Sequence, residues 1–273
     1  MPQELRFEML AKFGYAARGV VFLLVAGLAL FSSVGSGQPE SKSAISSLLD
    51  QPFGKVWVGL IGVGLFCFVA WRMAQVLADS DGHGSGVKGM LIRGSLLGSA
   101  VTYFGLGSYA LGHSIFMGVG SEGSGEKGLA AWIMSQPFGS YLAILTGIGL
   151  FIGGIVTIVK GLTRKFEKYI RIPSNVDWLT YICVYGLAAR GIVFAVVGVL
   201  FAYAGFKVDP DQAGGMADAM AWLHQLPGGA IIFIVIAAGL AAFGVYNLVA
   251  ARYRTVRGPS MASLKRAVRS QLS

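Results

Sequence analysis

The sequence predicts an all-α integral membrane protein: six transmembrane helices arranged as three parallel two-helix repeats with approximate three-fold symmetry. Three observations carry this. Only 13% of the 273 residues are charged, 55% are hydrophobic and the mean hydropathy is +0.66, whereas soluble domains carry about 25% charged residues. Uncharged apolar runs recur along the chain, and a spanning helix needs about 20 such residues. The same short motifs also return three times, once per hairpin.

The spans are expected at 14–33, 53–77, 91–116, 138–161, 181–205 and 229–251. The first follows Lys12 and is longer than a signal-peptide core, and no Ala-x-Ala-type cleavage site follows it, so it reads as retained. The second, fourth and sixth open at Gln51-Pro52-Phe53-Gly54, Gln136-Pro137-Phe138-Gly139 and Leu226-Pro227-Gly228-Gly229. Proline suits the first turn of a helix, where its missing N–H is not needed. The first, third and fifth carry Gly14-x-x-x-Arg18-Gly19, Gly89-x-x-x-Arg93-Gly94 and Gly186-x-x-x-Arg190-Gly191. No segment alternates with a two-residue period, which argues against a β-barrel.

The repeats cover 13–78, 88–161 and 178–252 of a single membrane domain, 1–273, with a basic tail at 253–273. Two spans per unit make the repeats parallel, related by an axis along the membrane normal. Gly64, Gly149 and Gly239 stand twelve residues after the three prolines and are expected at helix contacts. Gly94–Gly98 and Gly149–Gly153 have the small-xxx-small spacing that lets helices approach closely in lipid. Leu129–Ser135 and Ala217–Gln225 read as short outer-surface helices, anchored at headgroup level by Trp132 and Trp222. Phe166–Val176 reads as an amphipathic linker between the second and third repeats.

Six spans put both termini on one side. That side holds 18 of the 22 Lys and Arg residues, so the positive-inside rule places both termini in the cytoplasm. Anionic headgroups then account for the basic charge, and no nucleic-acid partner is expected. Cys67 and Cys183 lie inside apolar stretches, where they form neither a disulfide framework nor a metal site. No metal and no cofactor are expected. Asp79-Ser-Asp81-Gly82-His83 starts like a calcium loop but the pattern then fails, leaving an inner loop. His113 and His224 read as interfacial hydrogen-bonding residues.

The Gly-(Tyr/Leu)-Ala-Ala-Arg-Gly-(Val/Ile)-Val-Phe opening at Gly14 and Gly186, with the Gln-Pro-Phe-Gly turns, resembles the domain of unknown function numbered twelve hundred and six. The resemblance runs from Phe13 to Tyr253. It departs at Met90-Leu-Ile in the second unit and lacks Gln-Pro-Phe in the third. It implies three tandem two-helix units and a bacterial inner (plasma) membrane, and it implies no activity.

Arg18, Arg93 and Arg190 are the most informative residues. Arg72, Thr157 and Asn247 follow the three prolines by twenty residues, so the six would form a polar ring at or slightly below the inner headgroup level. One reading is a site for an anionic group such as a lipid phosphate, which the planar arginine fork binds bidentately. The other is that each arginine runs to water and bonds free helix-end carbonyls. With no catalytic constellation, the leading expectation is a non-enzymatic scaffold or lipid-interacting subunit, with anionic membrane lipids and other membrane proteins as partners. A transporter or channel with a site on the three-fold axis, and a membrane enzyme acting on lipid, are the alternatives.

Overall fold

The computed structural model describes residues 2–32, 45–46, 48–78, 86–115, 133–170, 176–209 and 216–254. Trp132, the loop 79–83, most of Leu129–Ser135 and the tail from 255 lie outside the described residues.

The three proline motifs fold alike, and each sets the start of a helix. The amide of Gly54 donates to the carbonyl of Gln51 at 2.8 Å, Gly139 to Gln136 at 2.8 Å and Gly229 to Leu226 at 2.7 Å. The residue after each proline is left-handed: Phe53 at φ 59°, Phe138 at 61° and Gly228 at 73°. Proline second and positive φ third make a type II turn. Any side chain on the closing glycine would strike the carbonyl oxygen of Leu48, Met134 or His224 on the preceding turn. This close approach, rather than flexibility, requires glycine.

Seven α-helices occur among the described residues: α1 (Pro2–Ser32), α2 (Gly54–Ala78), α3 (Val87–Ile115), α4 (Gly139–Leu162), α5 (Trp178–Lys207), α6 (Met216–Gln225) and α7 (Gly229–Tyr253). Five are long and apolar enough to cross a membrane: α2, α4, α5, α7 and the Glu8–Leu30 part of α1. The expectation of six equivalent spans is thus met for five. Helix α3 is long, but Gly94, Ser95, Gly98, Ser99, Thr102, Gly105, Gly107 and Ser108 dilute its hydropathy.

Small residues decide who packs on whom. Gly14 lies on the Phe68 backbone and Gly64 on Ala17, joining α1 to α2. Gly186 lies on the Phe243 backbone and Gly239 on Ala189, joining α5 to α7 through corresponding residues. Gly19 meets Gly244 between α1 and α7, as Gly191 meets Gly154 between α5 and α4. Gly62 meets Leu111 between α2 and α3. The helices therefore neighbour one another in the order α3, α2, α1, α7, α5, α4, and among the described residues no comparable packing joins α3 to α4.

That seam overturns one expectation. Among the described residues nothing lies within 4 Å of a side chain added at Gly94, Gly98, Gly149 or Gly153. Gly149 is exposed, unlike its buried counterparts Gly64 and Gly239. The spacing marks residues able to pack closely, and here the two helices that carry them stand apart.

Short α6 buries Ala219, Met220 and Leu223 and exposes Trp222. A single 3-10 turn, Lys165–Lys168, buries Phe166 edge-on against Tyr246. Ile170 then pairs with Arg254 in an antiparallel bridge, so the start of the linker closes one end of the bundle.

Candidate functional site

Arg18 leaves 4% of its surface exposed. Its Nε donates to the Tyr103 hydroxyl at 2.6 Å. Its guanidinium carbon lies 5.7 Å from the Phe22 ring centre, 5.1 Å from Phe68, 5.0 Å from Tyr103 and 5.1 Å from Phe243. Arg18 therefore does not run to water. Ala17 and Ala189 meet Gly64 and Gly239, each ten residues into its helix. Arg18 and Arg190 thus start about 15 Å below those helix ends, nearer mid-bundle than the headgroup level expected. Side chains lean toward a helix N-terminus, which carries both guanidinium groups toward the end that holds Arg72 and Arg254.

The rings around Arg18 are shared. Arg72 sits 4.7 Å from the Phe68 centre, and Arg190 sits 4.7 Å from Phe243 and 4.1 Å from Phe194. Arg18, Arg72 and Arg190 are within electrostatic range of one another. Arg254 adds a fourth charge near Arg72, over Tyr15 at 5.1 Å and Tyr169 at 5.5 Å. Arg72 Nη1 donates to Gln75 Oε1 at 3.0 Å, while among the described residues the buried Nε atoms of Arg72 and Arg190 have no hydrogen-bond partner. Among the described residues no carboxylate pairs with Arg18, Arg72 or Arg190; the ion pair seen is Lys12–Glu8, elsewhere on α1.

Like charges gathered in a weakly polar interior repel strongly. Each cation–π contact returns about 0.5–2 kcal/mol. The aromatic cage thus offsets part of the cost, and an anion held between the forks would offset more.

The two other members of the expected ring turn back on their own helices. Thr157 Oγ1 donates to the Gly153 carbonyl at 2.7 Å, and Asn247 Nδ2 donates to the Phe243 carbonyl at 2.6 Å. Asn247 is wholly buried, and among the described residues its Oδ1 has no partner. No group of three or more potential metal ligands occurs among the described residues.

The family described as Domain of Unknown Function (DUF1206) matches residues 13–79, 94–164 and 185–254. The chain belongs to this family. Uncharacterized protein YxxB of Bacillus subtilis (strain 168) is 31% identical over 250 residues, covering 89% of this chain and 90% of its own. No solved structure matches.

In this DUF1206 chain the second matched segment begins at 94, and packing agrees with that later start. Ser114 meets Gly59 as Gly205 meets Ile144, Gly107 meets Phe66 as Gly198 meets Phe151, and Leu111 meets Gly62 as Ala202 meets Gly147. The register that aligns these pairs sets Ser99, not Arg93, opposite Arg190, and Tyr103 opposite Phe194. Arg93 lies further toward the start of α3, away from that position. The Gly-x-x-x-Arg-Gly match at Gly89 rests on three residues of two common types. The better signal is an aromatic residue four positions on: Phe22 follows Arg18, Phe194 follows Arg190 and Tyr103 follows Ser99, whereas Arg93 is followed by the aliphatic Leu97. Tyr103, Phe68 and Phe243 were absent from the sequence-derived site. Phe68 and Phe243 each follow their proline by sixteen residues, a regularity visible in the sequence.

Proposed function

We propose that this DUF1206 protein is a six-span protein of a bacterial plasma membrane that binds a phosphate-bearing anion in the Arg18–Arg72–Arg190 cluster. The observation that carries the reading is the sharing of Phe243 by Arg18 and Arg190 with no carboxylate beside either among the described residues. Two guanidinium forks on one ring present donors that match phosphate oxygens. Helix α3 serves as the sixth span: it is about 43 Å long and runs antiparallel along α2, with Ser114 at Gly59 and Gly107 at Phe66. The matching contacts of α1–α2 and α5–α7 support the approximate three-fold plan, with α3–α4 as its unclosed third. The excess of Lys and Arg on the side of the termini supports a cytoplasm-facing position for the cluster. Binding without chemistry is the function assigned, consistent with a lipid-interacting subunit.

The test compares purified wild type with Arg18→Gln/Arg190→Gln by native mass spectrometry and by thermal midpoint. One arm adds phosphatidylglycerol and the other inorganic phosphate, each against chloride at equal ionic strength. Wild type should retain or be stabilised by at least one, and the double variant by neither. Equal behaviour of the two proteins in both arms overturns the reading.

A further inference from the structure

The cage around the arginines has a missing wall. Gly244 lies on Gly19 as Gly154 lies on Gly191. In that register Gly153 of α4 answers to Phe243 of α7 and Phe68 of α2. Two of the three equivalent positions thus carry the rings that cover Arg18, and the third carries no side chain. The odd-numbered members of the pattern show the same break: Arg18 and Arg190 have Ser99 as their counterpart. Repeat two therefore contributes neither an arginine nor this ring. Repeat two gives the cage Tyr103, while its residues at the arginine and ring positions, Ser99 and Gly153, are small.

The same repeat is the one whose two helices stand apart. In repeats one and three Gly64 and Gly239 close on Ala17 and Ala189. The corresponding pair is Gly149 and Gly98, and among the described residues each has nothing within 4 Å of its added carbon. The seam thus lies beside the arginine cluster and at its level. Hydrocarbon is exposed on its outer side: Val101 on α3, and Ile148 and Ile152 on α4. Arg18, 4% exposed, is bonded to Tyr103 of α3, one of the two seam helices, and among the described residues the buried Nε of Arg190 has no hydrogen-bond partner.

We infer that this seam is the lateral seat of one anionic phospholipid. Its phosphate lies on Arg18 and Arg190, and its acyl chains run out between α3 and α4 over Gly149 and Gly153. The inference rests on the anion reading above and names its ligand class and route. Charge complementarity selects an anion, the hydrocarbon flanks select an amphiphile over free phosphate, and the absent ring at Gly153 leaves room for it.

The experiment fills the seam as the other repeats are filled. Wild type, Gly153→Phe, Gly149→Leu and Arg18→Gln/Arg190→Gln are reconstituted in vesicles of phosphatidylethanolamine and phosphatidylglycerol. They are then extracted, and the retained phosphatidylglycerol is counted by native mass spectrometry. Both seam variants should keep the wild-type thermal midpoint in lipid-free detergent and lose retained phosphatidylglycerol by about tenfold. If the arginine variant loses the lipid and both seam variants keep it, the lateral seat is wrong while the anion reading stands. If the arginine variant keeps it, the anion reading itself fails. A wild-type particle of twice the chain mass that becomes single in Gly153→Phe assigns the seam to a second copy and overturns the inference. In a Cys67→Ala/Cys183→Ala background, a disulfide between Gly98→Cys and Gly149→Cys that forms equally with and without phosphatidylglycerol shows a seam closed by its own helices, and this too overturns the inference.

Discussion

Arg18 and Arg190 face one ring, that of Phe243, with guanidinium carbons 5.1 and 4.7 Å from its centre. The two arginines come from the first and third repeats and the ring from the third. Phe243 also stacks with Tyr246 at 5.6 Å and takes the edge of Phe22 at 4.8 Å. One side chain therefore couples the charge pair to the core.

Phe243→Leu keeps an apolar side chain but removes this shared face. It forfeits two cation–π contacts and part of a buried ring. The expected cost is about 2–3 kcal/mol, read as a lower thermal midpoint in detergent. Phe194→Leu touches Arg190 alone and should cost less. Equal effects of the two would show that the shared position of Phe243 has no special weight.

Tyr103→Phe isolates the hydrogen bond from the ring. The ring stays at Arg18, and only the hydroxyl that accepts from Nε is lost. A hydrogen bond to a charged group contributes about 1.5–3 kcal/mol, and the Arg18 Nε is left buried and unpaired. The midpoint should fall, and Tyr103→Leu should lower it further. A silent Tyr103→Phe would mean that the cage alone holds Arg18.

Gly149 and Gly239 occupy the same place after their prolines but should respond differently. A side chain at Gly239 collides with Ala189, while among the described residues one at Gly149 meets nothing. Gly239→Leu should lower the thermal midpoint by forcing α7 from α5. Gly149→Leu should leave it unchanged in lipid-free detergent. A fall of similar size in both would place a helix on the α4 face.

Five of the six spans and the tandem plan were legible because apolar length and the proline motifs are local properties. The sequence marked where the helices after the prolines start but placed Pro137 in the first helical turn, whereas α4 opens at Gly139 and Pro137 stands in the turn before it. Whether Gly149 finds a neighbour is not local, because it depends on the distance between α3 and α4. The cluster was half legible. Arg18 and Arg190 stand out because charge is rare in a span, and Arg72 follows from its proline. Arg93 misled because Gly and Arg recur in this chain at many spacings. The aromatic cage was hidden because Phe22, Phe68 and Phe243 are among 17 phenylalanines, and an apolar residue in an apolar helix carries little information. The register of three packed pairs on α3 separates Ser99 from Arg93, in agreement with the aromatic residue four positions on.

The proline turns yield the last prediction, because one motif appears in two chemistries. Phe138 holds φ 61° and ψ 28°, and Gly228 holds φ 73° and ψ 16° at the equivalent position. A left-handed phenylalanine costs about 1–2 kcal/mol relative to glycine. Phe138 recovers little of this from packing, since it is 79% exposed. Phe138→Gly should therefore hold or raise the thermal midpoint in detergent, where no bilayer interface rewards the ring. The next residue behaves in the opposite sense. Gly139 donates the turn's hydrogen bond to the Gln136 carbonyl at 2.8 Å and lies against the Met134 carbonyl. Gly139→Ala places a methyl group on that second carbonyl, so the turn must open and α4 must start later. The midpoint should fall, with a cost of about 1–3 kcal/mol. Gly54→Ala and Gly229→Ala should act alike, because their added carbons meet Leu48 and His224 in the same way. Should Gly139→Ala be neutral while Gly54→Ala and Gly229→Ala are costly, the turn of repeat two is not the turn of the others. The equivalence of the three repeats would then fail at its most regular element.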